Sequence, residues 1–297
     1  MPIFRRPDGD LVKDESFVRR MIPYLMRGRN EAAIYHDEVV DLTQFRPWMR
    51  DYNRSHPDNA ITLFHVMLYG IAKGLFARPG MNRFVSGGRI YQRRGVYLSF
   101  AAKKKFDAKS PLTTIKMECF ENEPFEAFVR RLKELLGEGR SDKERTVDKE
   151  VRWALKLPGV LLRAALALVR FLDRVNLLPG GMIKNDPMYC SAFVANLGSV
   201  GIDRTYHHLY EYGTASLFGV IGVPKKTLVV GPDDQPVVKE MVEMRWSFDE
   251  RINDGFYCAL ALRVFTRIMA DPAKHLGPAK PGDADNKDGG VAKEAVS

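Results

Sequence analysis

A chain of 297 residues with 45% hydrophobic and 10% aromatic content has ample material for a buried core, which excludes an intrinsically disordered protein. Its 46 Lys and Arg against 37 Asp and Glu leave a net charge of +9, suited to an anionic ligand, a phosphate-bearing cofactor or a membrane surface. The basic residues are interleaved with acids, and no zinc-finger spacing, aromatic RNA-binding signature or long basic block accompanies them, which argues against nucleic acid.

Read in chain order, residues 1–16 are a short polar lead and Phe17 to Arg27 has helical spacing. Ala32 to Leu42 reads as a strand, with Thr43 as N-cap of a helix from Gln44 to Arg54 that ends before His56-Pro57. Thr62 to Phe76 is a largely apolar helix stopped by Arg78-Pro79-Gly80. Short strands fit Phe84 to Tyr91, with Gly87-Gly88 as a reversal, then Val96 to Ala102 and Thr113 to Phe120. Pro124 to Gly137 is an amphipathic helix, and Glu138 to Lys149 a solvated connection. Strand character returns at Tyr189 to Asn196, Thr214 to Ile221 and Val237 to Phe248. In the last, Val242, Met244, Trp246 and Phe248 alternate with Met241, Glu243, Arg245 and Ser247, the pattern of a strand with one buried face. Gly255 to Met269 forms a helix closed by Asp271-Pro272, and residues 277–297 have the composition of a disordered tail. Helices and strands mix without a βαβ repeat, which predicts an α/β sandwich with a mixed sheet rather than a Rossmann domain or a barrel.

Cys119, Cys190 and Cys258 sit in apolar or strand-like contexts without CxxC spacing, the pattern of reduced, buried thiols rather than a disulfide scaffold. The N-terminus lacks the apolar core of a signal peptide, and no uninterrupted apolar run approaches the ~20 residues needed to span a bilayer. These features lead us to expect a cytoplasmic protein.

The segment Trp246-Ser-Phe-Asp-Glu-Arg-Ile-Asn-Asp-Gly255 resembles the active-site signature of the 2-oxoacid dehydrogenase acyltransferase catalytic domain and of the related chloramphenicol acetyltransferases. In that family a catalytic His stands where this chain has Glu250, ahead of the Asp-Gly matched by Asp254-Gly255. Further segments follow in family order between Phe17 and Leu276: Ile34 to Leu42 resembles the first strand, and Ile61 to Phe76 the apolar helix after it. Phe193 to Asp203 is similar to the segment built on Ser-Asn-Leu-Gly, and Ala270 to Leu276 to the closing helix.

The resemblance implies a chloramphenicol acetyltransferase-like two-layer sandwich over residues 17–276. It also implies a homotrimer in which the signature of one subunit faces the Asn-Leu-Gly segment of its neighbour, with coenzyme A or acyl-CoA as substrate; no metal is expected, because the paired His207 and His208 have no third ligand at recognisable spacing. The residues before Phe17 are too few for a lipoyl domain or a subunit-binding domain, so the likeness is to the catalytic domain alone.

The family His takes a proton from a thiol or hydroxyl that attacks a thioester. Moving a proton from a thiol of pKa about 8.5 to an ordinary Glu costs roughly 6 kcal/mol, against about 3 kcal/mol for His. The family Ser that donates to the oxyanion aligns with Ala195, next to Asn196. Loss of one such donor costs on the order of 100- to 1000-fold in rate. Ser191 and Ser199 are near in sequence, but neither takes its place. Asp254 matches a residue that the family pairs with an Arg to hold the loop, for which Arg251 and Arg245 are the candidates. His207 and His208 lie between two segments that border the expected channel. His208 is an alternative base; exposed or hydrogen-bonded loop histidines are the plainer reading. Two functions stay open: acyl transfer from a thioester with an altered site, and a catalytically inactive trimeric scaffold or acyl-CoA-binding module.

Residues 151–178 depart from the family pattern. Arg152, Lys156, Arg163, Arg170 and Arg174 fall within about 40° on a helical wheel. Opposite them lie Val160, Leu161, Ala164, Leu168, Phe171, Leu172 and Val175, and Pro158-Gly159 breaks the run. Such a helix suits an anionic membrane surface or the cover of an acyl tunnel; equally, it suits packing on the domain or at the trimer interface with its arginines in water.

Overall fold

The computed structural model describes residues 5–103, 112–140, 155–203 and 205–279. Its strands are β1 (Gly9–Leu11), β2 (Ala33–Asp41), β3 (Arg83–Ser86), β4 (Arg89–Arg93), β5 (Val96–Lys103), β6 (Leu112–Cys119), β7 (Ala192–Asn196), β8 (Leu217–Ile221), β9 (Lys225–Val230) and β10 (Pro236–Asp249). The helices are α1 (Phe17–Leu25), α2 (Phe45–Ser55), α3 (Leu63–Ala77), α4 (Phe125–Arg140), α5 (Gly159–Arg174), α6 (Gly180–Asn185), α7 (Gly255–Ala270) and α8 (Pro272–Leu276).

Seven strands form the main sheet in the order β2-β10-β8-β7-β5-β6, with β9 paired to the first half of β10. β5, β7 and β8 run parallel and the remaining pairs antiparallel, so the sheet is mixed as expected. One face carries Leu98, Phe100, Val194, Met244, Trp246 and Phe248 into the main core beneath α3, α4 and α7. Gly70 lets α3 and α7 approach, since a Cβ there would lie 2.8 Å from the Phe265 ring. The other face carries Phe193, Phe218 and Val220, covered by Cys190, Leu209 and Ala215. All three cysteines are buried and unpaired.

Several local expectations are corrected. Gln44, not Thr43, stands at the N-cap position of α2 and makes no side-chain cap bond, while Thr43 is taken up by a turn in which its backbone N–H donates to Asp41 Oδ1 at 2.8 Å. β10 is buried on both faces from Met244 onward. Its second face is covered by a loop in which His207 O accepts from Ser247 Oγ at 2.6 Å, and Tyr206 lies over Arg245. The polar lead contributes β1, which joins β4 and β3 in a small second sheet. There the guanidinium groups of Arg6 and Arg93 lie 4.7 and 4.4 Å from the centre of the Phe84 ring. Burial lowers the Arg93 pKa to about 10 even with Asp8 beside it. Residues 277–279 are held to the domain, with Gly277 O accepting from Trp48 Nε1 at 3.1 Å. The rest of the expected tail, residues 280–297, lies outside the described residues, as do 141–149 of the expected connection and Arg152. Among the described residues no helix is long and apolar enough to cross a membrane.

Candidate active site

β10 ends at Asp249 and α7 begins at Gly255, so the signature occupies the connection between the sheet and the helix that covers it. Asp249 is fully buried and accepts from Arg251 through N (3.1 Å), Nε (2.8 Å) and Nη2 (2.7 Å). Arg251 also donates through Nη1 to the carbonyls of Met26 and Arg27. The Glu250 backbone is fixed at both ends: its N–H donates to Ala32 O at 2.9 Å, and its carbonyl accepts from Arg19 Nη1 at 2.9 Å. Asp254 is the N-cap of α7, accepting from Tyr257 N at 2.9 Å, and Arg19 Nη2 lies 3.7 Å from its other oxygen.

The Arg that holds Asp254 is therefore Arg19. Arg251 is committed to Asp249, and Arg245 pairs with Glu243 and Asp37. Glu250 itself is half-buried, and its carboxylate has no hydrogen-bond or ion-pair partner among the described residues.

The second segment leaves the sheet at the end of β7. Asn196 Oδ1 accepts from Ser199 N at 3.3 Å, capping a single 3-10 turn over Leu197–Val200, and Ser199 Oγ donates back to Asn196 O at 2.7 Å. Gly198 is required by close approach, because a Cβ at that position would lie 2.2 Å from Gly222 O. Ala195 is half-buried and offers only a methyl group. Neither nearby serine supplies the missing donor. Ser191 is buried with its Oγ accepting from Tyr97 N, and Ser199 is occupied by the turn. Lys225 bridges Asp203 and Glu243 at 2.8 and 2.7 Å, and Glu243 also pairs with Arg245. This ionic cluster escapes sequence reasoning because Asp203, Lys225 and Glu243 come from three separate segments.

Within one chain the two segments stand apart. Ala195 is level with Val220, and Val220 with Arg245, five residues before Glu250. Five residues along a strand and two strand spacings across give a separation of roughly 20 Å. The fold thus positions Glu250 and Ala195-Asn196 on the same sheet without joining them.

His207 and His208 stack on each other at 4.6 Å, and His207 stacks on Phe218 at 3.9 Å, on the face that also bears Ala195. Burial lowers the His207 pKa, which keeps its ring neutral near pH 7. His208 is exposed, with Nδ1 at 3.1 Å from Leu209 O. Among the described residues no group of three His, Cys, Asp or Glu is placed to hold a metal.

No protein-family model matches the sequence, and no curated protein matches it. Solved structures do. A probable dihydrolipoamide acetyltransferase from Listeria monocytogenes is 17% identical with a TM-score of 0.58, over 89% of this chain and 95% of the other. The cubic core of the pyruvate dehydrogenase multienzyme complex is 13% identical with a TM-score of 0.59, over 90% and 95%. A chloramphenicol acetyltransferase is 9% identical with a TM-score of 0.54, over 88% and 99%. The chain has the chloramphenicol acetyltransferase-like fold of these acyltransferase cores, and at such identities the likeness is one of fold.

Proposed function

We propose that this protein is a coenzyme A-dependent acyltransferase whose site is assembled between subunits of a homotrimer. The observation that supports this reading is the signature loop. Arg19, Ala32, Met26, Arg27 and the buried Asp249–Arg251 pair all hold its backbone or its charges, and the Glu250 carboxylate is left unclaimed.

In this mechanism an acyl-CoA occupies the interface. Glu250 takes the proton of the acceptor thiol or hydroxyl as that atom attacks the thioester carbonyl. The Asn196 side-chain amide and the backbone N–H groups of Leu197 and Gly198 in the neighbouring subunit stabilise the oxyanion in place of the hydroxyl that Ala195 lacks. Collapse breaks the C–S bond, and the coenzyme A thiolate recovers the proton from Glu250. Asp254 orients the loop through Arg19 and the first turn of α7.

Ala195 favours a second reading, in which the trimer binds acyl-CoA as a scaffold without turnover. Incubating the protein with a panel of acyl-CoA donors and thiol, hydroxyl and amine acceptors separates the two. The acyltransferase reading expects turnover in the wild type, abolished in Glu250→Gln. An inert wild type that gains turnover in Glu250→His would establish the scaffold reading instead.

A further inference from the structure

α5 is the least covered long helix among the described residues, with none of its side chains buried. It rests on the domain through Val169 and Leu172, which pack on Leu178, Ile183 and Tyr189. Its only acid, Asp173, turns inward, accepting from Arg6 Nη2 at 2.8 Å and from Ser86 Oγ at 3.0 Å. What remains outward is apolar and cationic. Val160, Leu161, Leu168 and Phe171 are 76, 54, 57 and 58% exposed, and Leu155 and Leu157 just before the helix are exposed as well.

Arg163, Arg170 and Arg174 run along one edge of this strip within about 40° of one another. All three are exposed, without an ion-pair partner among the described residues. Arg170 and Arg174 also line a cleft of about 670 Å³ together with Arg27, Arg29 and Arg251. The cleft has two acids, both already engaged: Asp173 by Arg6, and Glu211 by the backbone N–H groups of Arg29 and Asn30. Arg170 and Arg174 at its rim therefore have no ion-pair partner among the described residues, whereas Arg251 is held by Asp249.

An apolar strip of this kind on a folded protein marks a contact surface, and charge selects the occupant. A second copy of this chain, itself at net charge +9, would set these arginines against cations. An anionic bilayer offers phosphates to the arginines and acyl chains to the apolar residues. At 16 residues, α5 reaches about 24 Å and is too short to span the hydrocarbon core.

We propose that α5 and the arginine-lined cleft beside it form a docking surface for an anionic phospholipid bilayer. The helix lies in the plane of the interface with Val160, Leu161, Leu168 and Phe171 at the acyl boundary and its arginines on lipid phosphates. The inference does not depend on whether the protein turns over thioesters.

Flotation of the full chain with phosphatidylcholine vesicles, with and without phosphatidylserine, tests it. The protein is expected to float only with the anionic vesicles and to be released as salt is raised. Arg163→Gln/Arg170→Gln/Arg174→Gln is expected to partition roughly 100-fold more weakly, at about 1 kcal/mol per arginine. Leu168→Ser/Phe171→Ser is expected to lose binding while its melting temperature and its mass by light scattering stay unchanged. A wild type that remains at the bottom with anionic vesicles would overturn the proposal. So would a triple-Gln variant that floats as well as wild type, or a double-Ser variant whose mass drops, which would make α5 a contact between copies.

Discussion

Glu250 draws its meaning from its neighbours. The buried Asp249–Arg251 pair and the Arg19 contacts both fix the loop, and they differ in kind. Removing one partner of a buried pair leaves an uncompensated charge and costs about 3–5 kcal/mol. Arg251→Met is therefore expected to lower the denaturant midpoint strongly. Arg19→Met, which touches the exposed Asp254 and a single carbonyl, is expected to change stability by about 1 kcal/mol while reducing turnover. Equal destabilisation by the two variants in urea titrations would contradict this division. The sequence exposed Glu250 and Asp254 in one contiguous motif and Ala195 in another. It hid Arg19, which reaches the loop from 231 residues away in sequence out of a helix with no motif of its own.

Among the elements, α3 carries a titratable cap. His65 Nδ1 accepts from the Thr62 backbone N–H at 3.1 Å and lies 2.7 Å from Thr62 Oγ1, so it must be neutral. Burial, with Lys133 adding repulsion, lowers its pKa to about 4. The unfolded chain takes up this proton near pH 6.5, so the unfolded state binds more protons between pH 6.5 and about 4. The contribution is complete above that window and is lost as pH falls through it, on the order of 3 kcal/mol. His65→Gln keeps an acceptor for the cap and removes the titration. Its melting temperature is expected to fall less than wild type between pH 7 and 4, and parallel declines would refute the assignment.

The turn after β7 makes a steric prediction. Gly198→Ala is expected to displace the Asn196–Ser199 turn and reduce turnover, whereas Gly201→Ala, which meets nothing within 4 Å and tests only backbone strain, should retain more of it. The long periodic elements were legible because one face packs on the core. β1 and β9 were not, since three and six residues give too little pattern to separate a strand from a connection. The second buried face of β10 was hidden for another reason: Arg245, Ser247 and Asp249 are polar residues buried by hydrogen bonds and ion pairs, which hydrophobic periodicity does not register.

For the molecule as a whole, five ordered segments of family resemblance foretold the fold, which the likeness to acyltransferase cores bears out, and the mixing of helices and strands foretold the mixed sheet. The distance between the two candidate half-sites within one chain follows from the pairing of β7, β8 and β10 rather than from any residue, and in the sequence only the family resemblance pointed to their lying on different subunits. That separation is compatible with the proposal that Glu250 of one subunit works with Asn196 of the next. Co-expressing Glu250→Gln and Asn196→Ala chains and measuring acyl transfer by the mixed oligomer tests it. Each variant alone is expected to be inactive, while the mixture recovers roughly a quarter of wild-type turnover, the share of randomly mixed interfaces that join the two intact halves. A mixed oligomer no more active than either variant alone would contradict the claim.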